Sequence, residues 1–357
     1  MDFAHRIIAW QAAHGRHGLP WQGTRDPYRI WLSEIMLQQT QVATVIPYYH
    51  RFLERFPDMA ALAAASQEEV MPYWAGLGYY ARARNLHRCA QAVMRHWQGS
   101  FPREPQDIAS LPGIGRSTAA AISAFAHDTR AAILDGNVKR VLARHFGIEG
   151  DPMRRETERL LWTLAEDLLP GTGARDAAMP AYTQGMMDLG ATVCTRGKPA
   201  CQRCPLADGC LARRDGRQAE LPTPKARKAV PERETQMLML EHDGRLLMRR
   251  RPATGIWGGL WSLPEFAGDA QAAARELGAD LVQAQALAPF AHVFTHFRLH
   301  IRPWHARAAH LALAEPSDEH AWVQIGQLKE LALPAPVQKL LDGYYGTAAQ
   351  ASLIPPR

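Results

Sequence analysis

Leu111-Pro112-Gly113-Ile114-Gly115-Arg116-Ser117-Thr118-Ala119 lies between two stretches with helical spacing of apolar residues. Gly113 and Gly115 permit positive φ and leave backbone N–H groups uncovered. A helix starts at about Arg116, with its positive dipole end facing outward. A hairpin of this kind grips a phosphate without reading a base. An ordinary tight turn also carries glycines, but the proline, the isoleucine between the glycines and the Thr-Ala opening the second helix favour the phosphate-binding form.

Outward from the hairpin, residues 1 to about 210 read as helical throughout, with short Pro or Gly interruptions and no convincing strand. From 211 to 233 the composition shifts to Ala, Arg, Lys, Pro and Glu, as in Pro222-Thr223-Pro224-Lys225-Ala226-Arg227-Lys228, which reads as a linker. Beyond it, Thr235–His242 and Leu246–Arg250 read as strands joined by an Asp243-Gly244 hairpin turn. Ala270–Leu277 reads as a helix, Val293–Trp304 as one long strand, and Pro334–Tyr345 as a closing amphipathic helix.

A chain of 357 residues with a 47% hydrophobic fraction has material for two cores. Lys and Arg outnumber Asp and Glu by 41 to 35, a formal charge of +6, with a pI near 9.2. That balance suits a polyanionic partner and equally suits a solvated surface. No apolar run approaches the roughly 18 residues of a membrane span, and mean hydropathy is −0.27. The N-terminus lacks the basic stretch and the roughly 7–15 apolar residues of a secretory signal. The expectation is a cytoplasmic or nucleoid-associated protein with no membrane partner, whose cysteines serve metal or redox chemistry rather than disulfides.

Cys194, Cys201, Cys204 and Cys210 are separated by six, two and five residues. Four thiolates satisfy either tetrahedral zinc or the four irons of a cubane cluster; the spacing leaves both open, and zinc is the default for an intracellular four-cysteine knuckle. Cys89 stands alone in a helix and reads as a small core residue. Downstream of the hairpin, Leu134-Asp135-Gly136-Asn137 has the form of a turn or helix cap, or of a functional carboxylate. Asp26-Pro27 makes a helix start, and on the helix that follows Glu34 shares a largely apolar face with Ile30, Leu37 and Gln38. Such a face raises a carboxyl pKa; a solvated glutamate is the alternative.

The hairpin, the aspartate about twenty residues beyond it and the six-two-five cysteine spacing, in that order, resemble the helix-hairpin-helix DNA glycosylases that include endonuclease III. Within them, Trp31-Leu32-Ser33-Glu34-Ile35-Met36-Leu37-Gln38-Gln39-Thr40-Gln41 and Gly76-Leu77-Gly78-Tyr79-Tyr80 resemble the MutY-type adenine glycosylases. The resemblance implies one [4Fe-4S] cluster per chain, reversing the zinc default. It gives Glu34 the role of general acid and Asp135 that of the carboxylate facing the sugar cation, assisted by Asn137. Gly113, Gly115, Gln38, Gln39, Tyr79, Arg82, Arg84, Arg196 and Lys198 become DNA contacts, and Trp21 and Leu37 line the base pocket. Ser117 stands where lyase-competent relatives carry a nucleophilic lysine, so a monofunctional enzyme leaving an abasic site is implied.

Gly259-Leu260-Trp261-Ser262-Leu263-Pro264-Glu265 with Arg275-Glu276-Leu277 resembles a worn Nudix box that lacks the further acidic pair a metal needs. The matching domain of adenine glycosylases recognises 8-oxoguanine through a Phe-Ser-His loop; here the triplet is Phe294-Thr295-His296, and threonine keeps a hydroxyl. The implied architecture is multidomain. An all-α helix-hairpin-helix glycosylase domain at 1–210 includes the cluster loop at 194–210, a linker covers 211–233, an α/β Nudix-like domain covers 234–346 and a tail covers 347–357. The implied partner is double-stranded DNA with 8-oxoguanine·adenine or guanine·adenine mispairs, met by a monomer. Competing readings are an endonuclease III-like lyase for oxidised pyrimidines, a nucleotide pyrophosphatase on a DNA tether, and a noncatalytic DNA-structure binder.

Overall fold

The computed structural model describes residues 2–171, 178–224, 229–311 and 319–351; side chains after 346 and at 311 are outside that description. Part of the linker (225–228) and the end of the tail (352–357) therefore lie outside the described residues. The chain forms two compact units, Met1–Ala65 with Asn85–Arg227, and Ser66–Arg84 with Lys228–Arg357.

Among the described residues the first unit contains helices and no strand. Its helices are α1 (Phe3–His14), α2 (Pro27–Leu37), α3 (Val42–Arg55) and α4 (Met59–Ala64). Beyond α5 (Gln67–Trp74) of the second unit and α6 (Ala81–His96), which spans the boundary, come α7 (Pro105–Ala109) and α8 (Arg116–His127). They are followed by α9 (Gly136–His145), α10 (Arg155–Asp167), α11 (Ala178–Asp188) and, after the cysteine loop, α12 (Leu211–Arg214). Their starts follow from local chemistry. Asp26 caps α2 by accepting from the Tyr28 N–H at 2.9 Å, with Pro27 in the first turn. Asp135 caps α9, accepting from the N–H groups of Asn137 (3.0 Å) and Val138 (2.8 Å). A core through Ile7, Trp10, Ala121, Leu134, Leu142 and Met186 ties α1, α8, α9 and α11 together. Cys89 is fully buried, as a core residue should be.

The hairpin before α8 departs from expectation at one glycine. Gly113 has φ +78, and a Cβ there would come within 2.5 Å of the Asn85 Cβ. Gly115 is instead an extended N-cap with φ −91, so it uses no left-handed freedom. What it contributes is openness: a Cβ there would meet nothing within 4 Å, and no side chain caps α8, so the first-turn N–H groups stay uncovered.

Among the described residues the second unit is built on a sheet of eight strands: β1 (Glu232–His242), β2 (Arg245–Arg250), β3 (Trp261–Ser262), β4 (Glu265–Phe266), β5 (Ala279–Ala286), β6 (Phe290–Val293), β7 (Arg298–Leu311) and β8 (His320–Gln324). The main path of the sheet runs β3-β2-β1-β7-β5. α13 (Ala270–Glu276) packs on it and α14 (Ala335–Ala351) ends the described chain. Asp243 and Gly244 both have positive φ, +46 and +70, as a tight hairpin matched to strand twist requires. β1 and β7 run parallel, from Glu232 against Arg298 to Glu241 against Arg307.

The single strand expected over Val293–Trp304 is two. β6 ends at Val293, the chain turns through Phe294–Phe297 with the Phe294 N–H donating to the Phe297 carbonyl at 2.8 Å, and β7 starts at Arg298. Stacking of Phe294 on Phe297 (centroids 4.5 Å apart) holds this turn without glycine or proline. Among the described residues, no helix is long and apolar enough to cross a membrane.

Candidate active site

Glu34 lies on α2 among buried neighbours, Trp31, Leu32, Ile35 and Met36. It lines a cavity of about 570 Å³ together with Trp21, Leu37, Arg16, His17 and Gln184. The two side chains expected to line a base pocket, Trp21 and Leu37, thus meet Glu34 at one cavity. Trp21 is held edge-on against Tyr49, centroids 5.5 Å apart.

Burial pushes the Glu34 carboxyl up to about 8, and the negative charge of Asp135 adds to the rise. The protonated acid therefore prevails at neutral pH. Asp135 is also raised by burial, but its environment resists: the N–H groups of Val138 and Asn137, the charge of Arg140 and the Asn137 amide all favour its anion. Two coupled carboxyls are pushed towards different roles, one keeping its proton and one provided with donors.

Asn137 donates from Nδ2 to Asp135 Oδ2 at 3.4 Å and accepts at Oδ1 from Arg140 Nη2 at 2.8 Å. Arg140 also donates to the carbonyls of Gly190 (2.6 Å) and Cys194 (2.7 Å). The π-helical turn Leu189–Val193 can approach α9 this closely because Gly190 has no side chain; a Cβ there would lie 2.5 Å from the Asn137 Cβ. Ser117 Oγ accepts from the Leu134 N–H at 2.9 Å and so fixes the residue before Asp135. Gln38 caps the end of α2 and reaches Thr118 Oγ1 at 3.4 Å.

The four clustered cysteines sit on one short loop of the first unit. Their side chains border a single small cavity with Arg144 and Val193. Among the described residues no three His, Cys, Asp or Glu side chains converge as one metal ion requires. Thiols spread around a cavity suit a cubane in which each iron takes one sulfur. Burial raises the Cys204 thiol to about 11 and raises Cys210 as well, so the ligating thiolates need a strong cationic partner. Arg144, itself buried, supplies part of that charge: its Nη1 lies 3.4 Å from Cys194 Sγ, and it donates to the carbonyls of Thr195, Arg196 and Leu221. Purified protein is expected to be brown, absorbing near roughly 400 nm, and Cys204→Ser to lose that band together with thermal stability. A colourless protein containing one zinc per chain would contradict the assignment.

The expected DNA contacts are differently disposed. Arg196 and Lys198 are exposed between the first two cysteines. Gln39 and Tyr79 are exposed, and each is a non-glycine residue with positive φ, +58 and +50. In the second unit Arg82 turns onto the Leu77 and Gly78 carbonyls, both at 3.2 Å, and Arg84 donates to the Gly258 carbonyl at 2.7 Å. Tyr79 Oη and Thr295 Oγ1 are 2.8 Å apart, so two residues 216 positions apart in sequence share a hydrogen bond. Phe294 packs against Trp257, Phe297 and His296. Sequence reasoning missed Arg16, Gln184, Asp188, Arg140 and Arg144. Of these only Asp188 left a signal, a charge inside the apolar run Met186-Met187-Asp188-Leu189.

Residues 32–167 match the HhH-GPD superfamily of base excision DNA repair proteins, 194–210 the iron-sulfur binding domain of endonuclease III, and 235–343 the NUDIX domain. Among solved structures, a thermostable thymine-DNA glycosylase is similar with a TM-score of 0.53 and 30% identity, covering 60% of this chain and 95% of that one. The adenine DNA glycosylase of Buchnera aphidicola (subsp. Acyrthosiphon pisum) is 34% identical over 96% of this chain and 97% of its own length. The adenine DNA glycosylase of Homo sapiens is 35% identical over 73% of this chain and 57% of its own. The cysteine loop thus holds a [4Fe-4S] cluster, whose chemistry when bound is to cross-link the loop and place net charge beside Arg144. Similarity sustained along almost the whole chain, over a helical core with two coupled carboxyls, makes this a DNA glycosylase that belongs to the adenine DNA glycosylase family.

Proposed function

We propose that this enzyme removes adenine paired with 8-oxoguanine or guanine from duplex DNA, by hydrolysis and without strand cleavage, acting as a monomer. The observation that carries the reading is the protonated Glu34 at the cavity, charge-coupled to an Asp135 surrounded by donors. An adenine inside a duplex is out of reach, so it is extruded into the cavity beside Trp21 and Leu37, while Gln38, Gln39 and Tyr79 occupy or probe the opened helix. Gly113 and Gly115 hold a phosphate on the uncovered start of α8, and Arg196 and Lys198 meet the backbone from the cysteine loop.

The Glu34 proton passes to N7 of adenine as the C1′–N9 bond breaks, and the bond's electron pair leaves with the base. The Asp135 carboxylate stabilises the oxocarbenium-like sugar, with Asn137 keeping it oriented. The Glu34 carboxylate then takes a proton from water, whose oxygen bonds to C1′. Ser117 offers no amine to the sugar, and its hydroxyl is engaged with Leu134. The product is therefore a free base and an intact abasic strand.

Phe294, Thr295 and His296 read the opposing 8-oxoguanine, with Thr295 and Tyr79 offering a joined pair of hydroxyls. Arg82 and Arg84 act there by bracing the backbone around Tyr79 and Gly258. Single-turnover excision on duplexes that differ only in the opposing base tests the reading. Adenine opposite 8-oxoguanine should leave fastest, with no strand breaks before alkali. Thr295→Ala with His296→Ala should reduce the preference over guanine by about ten-fold, the scale of one or two base contacts. An unchanged preference removes the triplet from recognition, and robust lyase activity contradicts the monofunctional mechanism.

A further inference from the structure

Composition over 211–233 reads as a linker, yet its first part, 211–224, belongs to the first unit and is tied down along its length. After α12 the chain turns at Gly216 (φ +68), and the Arg217 N–H donates to the Ala212 carbonyl at 2.8 Å. The Arg217 guanidinium donates to Glu149 at 2.7 Å and to Glu220 at 3.0 Å. Leu221 is buried, and its carbonyl accepts Nε of the buried Arg144 at 2.8 Å. Thr223 Oγ1 accepts the Gly150 N–H at 3.0 Å. A flexible spacer needs no such contacts. The segment is a strap, anchored on both sides of Gln218.

The strap crosses the cysteine cavity. Gln218 lines that cavity with the four cysteines and Arg144, and its Nε2 lies 3.9 Å from Cys201 Sγ, within the longer reach of a hydrogen bond to sulfur. A ligating thiolate accepts and does not donate, so the amide turns its NH2 to the sulfur. All four cysteines are half-buried, so the residues beside them decide how far water and small solutes reach the sulfurs. Hydrogen bonds to ligating sulfurs and exclusion of solvent are the handles by which a protein tunes such a centre.

We propose that Gln218, held in place by the strap, covers the [4Fe-4S] cluster and donates to its Cys201 sulfur, thereby slowing iron loss and raising the reduction potential of the cluster. A donor at sulfur stabilises the more reduced, more negative cluster, so removing it lowers the potential. Competing ligands reach the irons only when the strap lifts, so the rate of iron loss follows the population of that local opening. Neither effect involves DNA or the excised base.

The test uses the cluster-loaded, full-length protein. Loss of the roughly 400 nm band is followed in excess ferrous-iron chelator, and the reduction potential is measured by film voltammetry. Gln218→Met keeps the bulk and drops the donor, so the potential is expected to fall. Gln218→Ala also removes the cover, and iron loss is expected to quicken about five-fold, the scale of one net hydrogen bond. Glu149→Gln with Thr223→Val loosens the strap at both ends while leaving Gln218 unaltered; it should quicken iron loss by a similar factor, and it decides the matter where a Gln218 variant fails to fold. All of these variants should excise at the unaltered rate while loaded. Unaltered iron loss in both Gln218→Ala and the anchor pair, or an unaltered potential in Gln218→Met, overturns the proposal. Slower excision with the cluster retained overturns it too, because the strap would then serve DNA handling rather than the cluster.

Discussion

Glu34→Gln is expected to slow single-turnover excision of adenine by about 10²–10⁴-fold, the range associated with a general acid, while duplex binding and the roughly 400 nm absorbance persist. Glutamine matches the shape of the half-buried acid and needs no repacking on α2, but has no proton to give. The same residue fixes the pH dependence. With its carboxyl held near 8, the acid form is present at neutral pH and lost above it, so the rate should fall as pH rises through about 8. Stability should follow the same sign. A carboxyl whose folded pKa lies above its ordinary 4.5 binds its proton more tightly in the native state. Its contribution is complete below the unfolded value and is lost as pH rises through about 8. Glu34→Gln should flatten that dependence, and denaturant titrations between pH 5 and roughly 9 would show it. A variant that excised adenine at the unaltered rate would end the assignment of Glu34 as the acid.

Asp135→Asn is expected to cost about 10²–10³-fold in the same assay with little change in melting temperature. The contrast arises because Asp135 has two separable jobs. As the cap of α9 it accepts from Asn137 and Val138, and asparagine caps a helix about as well. As the proposed partner of a developing cation it needs a negative charge, which asparagine lacks. Replacement also sets an NH2 group against the Asn137 amide that now donates to Oδ2. A large melting shift accompanying the rate loss would mean that the carboxylate serves mainly the fold.

That double role explains what could be read from the sequence. Helix starts are local, so Asp26-Pro27, the hairpin and the Asp135 cap were all legible within a few residues. The four cysteines were legible because their spacing is itself the signal, although the metal they hold was not. Glu34 was legible as one carboxyl on an apolar face, but its cavity was not, since Arg16 and Gln184 reach it from opposite ends of the first unit's sequence. The turn at Phe294–Phe297 was hidden because alternation of Phe297, Leu299 and Ile301 with Arg298, His300 and Arg302 runs unbroken to its edge. No glycine or proline marks the break; ring stacking makes it. Gly115 was misread because a glycine is equally useful for the side chain it omits.

Gln39 and Tyr79 each hold an exposed side chain on a left-handed backbone that L-residues seldom adopt. Conformations of this sort cost on the order of 1–3 kcal/mol each, and here folding has already met that cost before any DNA arrives. In the DNA-probing role proposed for them, neither residue would have to be wound into an unfavourable shape during encounter, leaving the free energy of association for bending and opening the duplex. Relaxing either position with glycine would therefore spare the native state some strain and, on the proposed role, weaken the grip on DNA at the same time.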